Sequence, residues 1–448
     1  MFLPKEFEDS TRQLMGDELY ATFCRALDVP PPVSIRLNPQ MLKEGAWHVK
    51  DGERIPWSQY GYYLKERPNF TFDPLLHAGC YYVQEASSMF IEQVIRHLLD
   101  HTSLSSGEVG GGVSVLDLCA APGGKSTCAA AVLPEGSTLY SNEPIRQRAQ
   151  VLSENLQKWQ LPTLLPSPSP WEGRGGVFPF HLTTNCYARD YQKAGMTFDL
   201  IIADVPCSGE GMFRKDEGAV REWSPENVEH CWQLQREIIS DIWPCLQPGG
   251  FLIYSTCTFN TLENEENVKW ICEKLGATFV EIPTEEDWQI TGSLLPGFNA
   301  PVYRFIPGRT RGEGLFMAVM RKEERGARSE EDPTPSPSPK GKGKRSGNAK
   351  LNTMEQEFLQ ELRNATEAPR VEVDYRQAIS YLRREALVLP PETPRGTVVI
   401  TFRGFPLGLA KNIGNRANNQ YPKEWRIKST YIPENYETIL RHTEQNPD

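Results

Sequence analysis

Apolar and polar positions follow different rhythms in different parts of the chain. Apolar residues recur at helical spacing over 7–27, and Pro-rich loops then lead to a second helical stretch, 85–99. From Val113 to Met320 short apolar runs take turns with amphipathic stretches. The runs cover 113–118, 137–141, 198–203, 250–256 and 315–320, and helices such as 143–159 and 225–245 lie between them. Alternation of this kind predicts an α/β domain built on a parallel sheet. The start of the 225–245 helix is marked by Ser224, whose hydroxyl can cap it, and by Pro225 in its first turn. Val228, Trp232, Ile238, Ile239 and Ile242 then fall on one buried face.

Three stretches interrupt this plan. Residues 103–112 are rich in Ser and Gly, 166–176 read PSPSPWEGRGG, and 333–347 read PTPSPSPKGKGKRSG. All fall between elements, where a longer loop costs little closure entropy, and are expected to be disordered. They suggest an N-terminal extension over 1–100, an α/β domain over 101–322, a linker over 323–351 and a separate C-terminal domain over 352–448. That last unit opens with a helical pattern and includes a strand-like run, 397–402.

Composition limits the partners. No run of about 18 apolar residues is present to span a bilayer, and Glu6, Glu8 and Asp9 stand where a signal peptide would be basic and then apolar. A cytoplasmic, monomeric protein is expected. The 10 cysteines include several within apolar runs and form no Cys-x-x-Cys pair, so neither a disulfide framework nor a bound metal is expected. The formal net charge of −10 argues against a nucleic-acid partner, but it averages over an uneven distribution. Arg395, Arg403, Lys411, Arg416, Lys423, Arg426 and Lys428 face a single nearby acid, Glu424.

The densest local motif runs from Val115 to Ser126: an apolar strand, then Cys119, Ala120, Ala121, Pro122, Gly123, Gly124 and Lys125, then a helix. Small residues there bring a ligand close to the main chain. A P-loop would need glycine where Cys119 stands. A nucleoside-binding Rossmann-like loop needs an acid for the ribose hydroxyls at the end of the second strand, about 20 residues on, and Glu143 stands there. Two further runs end in thiols. Asp204, Pro206 and Cys207 close one, and Thr256 and Cys257 close the other. Thiols at the ligand-binding edge of one sheet point to covalent chemistry, although residue chemistry alone does not rank the two.

These motifs resemble the RsmB/RsmF (Sun-related) family of RNA 5-methylcytosine methyltransferases, and within it the bacterial 16S ribosomal RNA enzymes. The likeness covers residues 3–320 and extends less fully into the C-terminal region. It implies a Rossmann-like S-adenosylmethionine-dependent methyltransferase core with an N-terminal α+β extension that positions RNA and a small C-terminal RNA-binding domain of PUA type. The RNA would be 16S ribosomal RNA or the small-subunit particle. By resemblance, residues 119–125, Glu143 and Asp204 hold S-adenosylmethionine, Cys257 adds to carbon 6 of cytosine, and Cys207 aids release. Lys125 would favour the thiolate and Asp204 would hold the base edge. Arg36 and Asn38 in Ser-Ile-Arg-Leu-Asn, and residues 82–88, match the family segments that lead into the catalytic domain. One position departs: where the family has an acid after the third strand this chain has Tyr187, so either Tyr187 or Asp190 takes over the adenosine contact. In the C-terminal region Phe405, Tyr421 and Trp425 are either base-stacking platforms or the core of a small β domain.

Overall fold

A computed structural model describes residues 2–43, 45–102, 104, 112–159, 180–324, 362, 368–429, 431, 433, 436 and 438–443. The low-complexity stretches 166–176 and 333–347, most of 103–112 and the helical start of the C-terminal unit lie outside these residues.

The chain opens with α1 (Lys5–Leu27), whose first turn carries Glu6 and Glu8 and whose last carries Arg25, charges suited to the two ends of a helix dipole. Gly16, at φ 73°, interrupts it, so the 7–27 pattern folds as two helical segments. Five short strands follow: β1 (Val33–Leu37), β2 (Trp47–Val49), β3 (Glu53–Arg54), β4 (Gly61–Leu64) and β5 (Tyr81–Val83). Four of them form an antiparallel sheet in the order β3-β4-β1-β5. Strands of two to five residues are too short to show a period-two pattern in sequence. After α2 (Pro74–His77), α3 (Phe90–His101) begins five residues later than the helical spacing implies. The Glu85 carboxylate there accepts from Ser88 N at 2.9 Å and caps the turn that leads into the helix.

The central domain contains β6 (Ser114–Asp117), α4 (Gly124–Ala130), β7 (Thr138–Asn142), α5 (Arg146–Lys158), β8 (Phe180–Thr184), α6 (Ala188–Lys193), β9 (Phe198–Asp204), α7 (Glu217–Glu222) and α8 (Pro225–Ile242). It continues with β10 (Leu246–Thr256), α9 (Glu265–Leu275), β11 (Ala277–Phe279), β12 (Val302–Phe305) and β13 (Leu315–Lys322). The sheet order is β11-β13-β10-β9-β6-β7-β8, with β12 also paired to β13. Strands β8, β7, β6, β9 and β10 are mutually parallel, and β13 runs against β10. The long apolar runs of β9 and β10 are explained by burial on both faces, whereas β8, which reads FHLTT at the sheet edge, is mostly half-buried. Val115, Ile202 and Ile253 pack into one core cluster, and Leu116, Ile201 and Leu252 into another. Ser224 caps α8 as expected, accepting from Asn227 N at 3.2 Å. Helix α5 starts at Arg146 rather than 143, because Pro144 intervenes and the Glu143 side chain accepts from Ile145 N.

The C-terminal unit consists of β14 (Arg370–Glu372), α10 (Tyr375–Leu382), β15 (Gly396–Phe402), β16 (Phe405–Asn412), β17 (Ala417–Asn419) and β18 (Leu440–His442). It does not stand apart from the rest. A single core cluster contains Ile35, Tyr62 and Tyr81 of the N-terminal extension together with Ile379, Ile400 and Leu409 of the C-terminal unit. Strand β18 pairs with β2, and Tyr436 Oη donates to Asp73 Oδ1 at 2.6 Å.

Candidate active site

The chain reverses its direction of sheet growth between β6 and β9, and the candidate residues collect at the carboxyl ends of the strands there. Asp117 ends β6, fully buried, and accepts from Ser126 Oγ at 2.6 Å. Burial pushes its carboxyl up to about 7. The loop 119–123 is tied down by Ala120 N, which donates to Asn142 O at 2.8 Å. Asn142 also donates to Leu118 O and Cys186 O, at 2.9 and 3.0 Å, so one amide joins the ends of β6, β7 and β8. The loop turns through a cis Ala121–Pro122 bond and through Gly123 at φ 113°. A Cβ at Gly123 would lie 3.3 Å from Leu152 Cδ1, so both the backbone angle and the space favour glycine.

Glu143 follows β7 and is buried, with Oε1 accepting from Ile145 N at 3.0 Å. Its Oε2 faces the Arg148 guanidinium at 3.5 Å without a hydrogen bond, and Asp117 Oδ1 and Ser141 Oγ have no hydrogen-bond partner among the described residues. Buried acceptors without donors are uncommon, and this group at the ends of β6 and β7 suits a ligand that brings hydroxyl donors. The loop, Glu143 and these open acceptors therefore fit an S-adenosylmethionine nucleoside.

The two thiols come from neighbouring parallel strands. Register pairs Asp204 of β9 with Ser255 of β10, so their loops leave the sheet side by side. Cys207 Sγ and Cys257 Sγ are 3.2 Å apart. Their hydrogen bond, together with burial, raises the Cys207 thiol well above its ordinary value. Lys125 Nζ, from the first turn of α4, pairs with Asp204 Oδ2 at 2.8 Å, and Ser255 Oγ donates to Asp204 Oδ1 at 2.7 Å. Burial alone would lower the Lys125 pKa; the charge of Asp204 outweighs it and keeps the ammonium raised.

Two glutamates given no role in the sequence reading hold the thiol loops together. Glu263 accepts from Ser208 N at 3.0 Å, Asn260 Nδ2 at 2.8 Å and Gln235 Nε2 at 2.7 Å, and burial pushes it up to about 7. Glu210 accepts from Phe259 N at 2.6 Å and from Trp223 Nε1 at 3.0 Å. Each glutamate thus links the loop after β9 to the loop after β10. Helix α1 covers this network: Phe7 meets Phe213 at 5.0 Å and Phe23 meets Phe259 at 5.0 Å, ring centre to ring centre. Such aromatic pairs add about 1 kcal/mol each beyond their area burial. Glu210 sits within the Cys207 motif, but no local pattern marks Glu263.

Other expected residues lie elsewhere. Asp190 is engaged at the start of its own helix, accepting from Tyr187 N at 3.1 Å and pairing with Lys193 at 3.2 Å. Tyr187 is 60% exposed, with the Arg189 guanidinium 5.4 Å from its ring centre. Phe405, Tyr421 and Trp425 are buried core residues, so the base-stacking alternative is set aside. Arg395, Arg403, Lys411, Arg416, Lys423, Arg426 and Lys428 are all exposed. A cavity of about 280 Å³ away from the thiols is lined by Arg383, Glu385, Arg426, Ile427, Lys428 and Ser429. Among the described residues no group of three His, Cys, Asp or Glu is placed to hold a metal ion, and no helix is long and apolar enough to cross a membrane.

A sheet of this order with a reversed strand, a glycine-bearing loop after its first strand and an acid after its second define an S-adenosylmethionine-dependent methyltransferase of Rossmann-like fold. Three family models match the chain: 16S rRNA methyltransferase RsmB/F over 108–167 and 178–321, the N-terminal domain of 16S rRNA methyltransferase RsmF over 3–86, and the methyltransferase RsmF PUA domain over 368–427. The chain belongs to the RsmB/F family of 16S rRNA methyltransferases. Among relatives, the ribosomal RNA small subunit methyltransferase F of Pectobacterium atrosepticum is 27% identical, with 94% of this chain and 95% of that protein covered. The protein of the same name from Shewanella amazonensis is 26% identical, covering 94% and 98%. A methyltransferase homolog protein from Pyrococcus horikoshii has a similar fold, with a TM-score of 0.55 and 23% identity over 71% of this chain and 95% of that one. NSun6 from the same organism, solved with SFG, gives 0.54 and 20% over 71% and 98%.

Proposed function

We propose that this protein methylates carbon 5 of a cytosine in small-subunit ribosomal RNA, free or within the small-subunit particle, with Cys257 as the covalent nucleophile. The observation that carries this reading is the pair of thiols 3.2 Å apart at the ends of adjacent parallel strands. Residues 119–125 and Glu143 would hold S-adenosylmethionine, which supplies an electrophilic methyl group when bound. Carbon 5 of cytosine is too weak a nucleophile to take that group unaided. Addition of the Cys257 thiolate to carbon 6 makes it electron-rich.

Each neighbour has work in this scheme. Cys207, held as a thiol, donates its S–H to the Cys257 sulfur and so stabilises negative charge there, both at attack, once the Cys257 proton has passed to solvent water, and when the bond to carbon 6 breaks after water has taken the carbon-5 proton. Asp204, paired with Lys125 and Ser255, is an acceptor suited to the exocyclic amine of cytosine. Tyr187, with its ring exposed, suits the adenosine contact better than Asp190, whose carboxylate is taken up by its own helix. Carbon 6 is out of reach in a stacked helix, so the base must be extruded. The exposed cations of the C-terminal unit and its Arg- and Lys-lined cavity suit RNA phosphates.

RNA carrying 5-azacytidine tests the scheme, because it traps the adduct before release. The wild-type protein is expected to form a denaturant-resistant complex. Cys257→Ala should form none, and its turnover should drop by about a thousandfold or more. A covalent complex that persists in Cys257→Ala overturns the assignment. Cys207→Ala should accumulate a complex with ordinary RNA, and rapid turnover without any adduct would remove its release role.

A further inference from the structure

Arg36 lies on β1, outside the catalytic sheet, yet its guanidinium ends beneath the loop assigned to the cofactor. It is fully buried. Its Nη2 donates to Thr127 Oγ1 at 2.6 Å, Nη1 to Thr127 O at 3.3 Å, and Nε to Gln84 Oε1 at 2.8 Å. The Trp159 ring centre lies 4.6 Å away. Its partners are thus carbonyls, a hydroxyl, an amide oxygen and a ring face rather than a carboxylate. Burying a cation among neutral acceptors is costly, and what the arrangement accomplishes is placement.

That placement passes to the loop. Thr127 Oγ1, held by Arg36, donates to Gly123 O at 2.8 Å. On the other side of the turn, Tyr82 Oη of β5 donates to Pro122 O at 3.1 Å, and Asn155 Nδ2 donates to the same oxygen at 2.8 Å. The Gln84 side chain lies 3.6 Å from where a Cβ on Gly124 would stand. Pro122, Gly123 and Gly124 are therefore held from behind by residues of the N-terminal extension.

The geometry points to Arg36 and Tyr82, with Gln84, as positioning residues for S-adenosylmethionine binding, so that cofactor affinity is a joint property of the extension and the catalytic domain. This inference rests on the assignment of residues 119–125 as the cofactor loop. It gives the extension a task that is independent of RNA.

Calorimetric titration of the full-length protein with S-adenosylhomocysteine, in the absence of RNA, tests it. Arg36→Lys keeps the charge and loses the fork, and Tyr82→Phe, at a partly exposed site, loses the bond to Pro122 O and the long one, 3.4 Å, accepted from Asn155 Nδ2. Both should raise Kd, by about fivefold or more for Arg36→Lys and about threefold for Tyr82→Phe. The KM for RNA, and kcat at saturating S-adenosylmethionine, should stay within about twofold of wild type. A Kd unchanged in both variants overturns the inference, as does a fall in kcat with no change in Kd. Should Arg36→Lys fail to fold, Tyr82→Phe decides alone. Gly123→Val and Glu143→Ala serve as controls on the loop assignment. If these two also leave Kd unchanged, the cofactor-loop assignment itself is wrong; if only they raise it, the assignment stands and the positioning role falls.

Discussion

Glu263 shows how one side chain can set the geometry of a site without touching substrate. Its donors Ser208, Asn260 and Gln235 favour the carboxylate, but burial wins and the group sits at about 7 against an ordinary 4.5. A folded-state pKa above the unfolded one means that the stabilising contribution is complete below about pH 4.5 and is lost as pH rises through 7. Asp117, also at about 7, carries the same sign. Urea unfolding of the wild type should therefore show stability falling between pH 5 and 8, by at most about 3 kcal/mol from Glu263. Glu263→Gln should flatten that slope, while its amide hydrogens meet the donors that now face the carboxylate. Equal slopes in wild type and variant would mean that Glu263 does not titrate in this range.

At the scale of elements, the site depends on two strands being neighbours and on their loops approaching closely. Gly211 N donates to Cys257 O at 2.7 Å, and a Cβ at Gly211 would stand 2.8 Å from that oxygen and 3.2 Å from Gly314 O. Both obstacles are backbone, so they cannot swing aside. Gly211→Ala should push the loop that follows Cys207 away from Cys257. A misplacement of about 1 Å can cost on the order of a hundredfold in rate. Single-turnover methyl transfer is expected to slow by at least about tenfold, with S-adenosylhomocysteine affinity unchanged because the loop proposed to hold it follows β6. A variant that turns over normally would show that the approach of these loops is not required.

Over the whole molecule, the N-terminal extension and the C-terminal unit share one core, with Leu440 fully buried where β18 pairs with β2. Leu440→Ala should cost about 2–5 kcal/mol. Hydrogen exchange should show the loss in both units together, with protection reduced in β1 and β4 as well as in β15 and β16. Loss confined to the C-terminal strands would mean that the two units unfold independently.

The features legible without a structure were those encoded in short windows. The parallel α/β core, the Ser224 cap, the loop 119–125 with Glu143, and a thiol at each of two strand ends all arise from periodicity, capping and turn chemistry within about 20 residues. The tertiary structure decided what those elements meet. Cys207 and Cys257 are 50 positions apart, Arg36 and Thr127 are 91 apart, and Tyr436 and Asp73 are 363 apart. It also decided that Phe405, Tyr421 and Trp425 form core rather than a stacking platform, and that the C-terminal unit packs on the extension. Such contacts depend on how many apolar faces and buried polar groups are satisfied at once. No single stretch of sequence carries that sum.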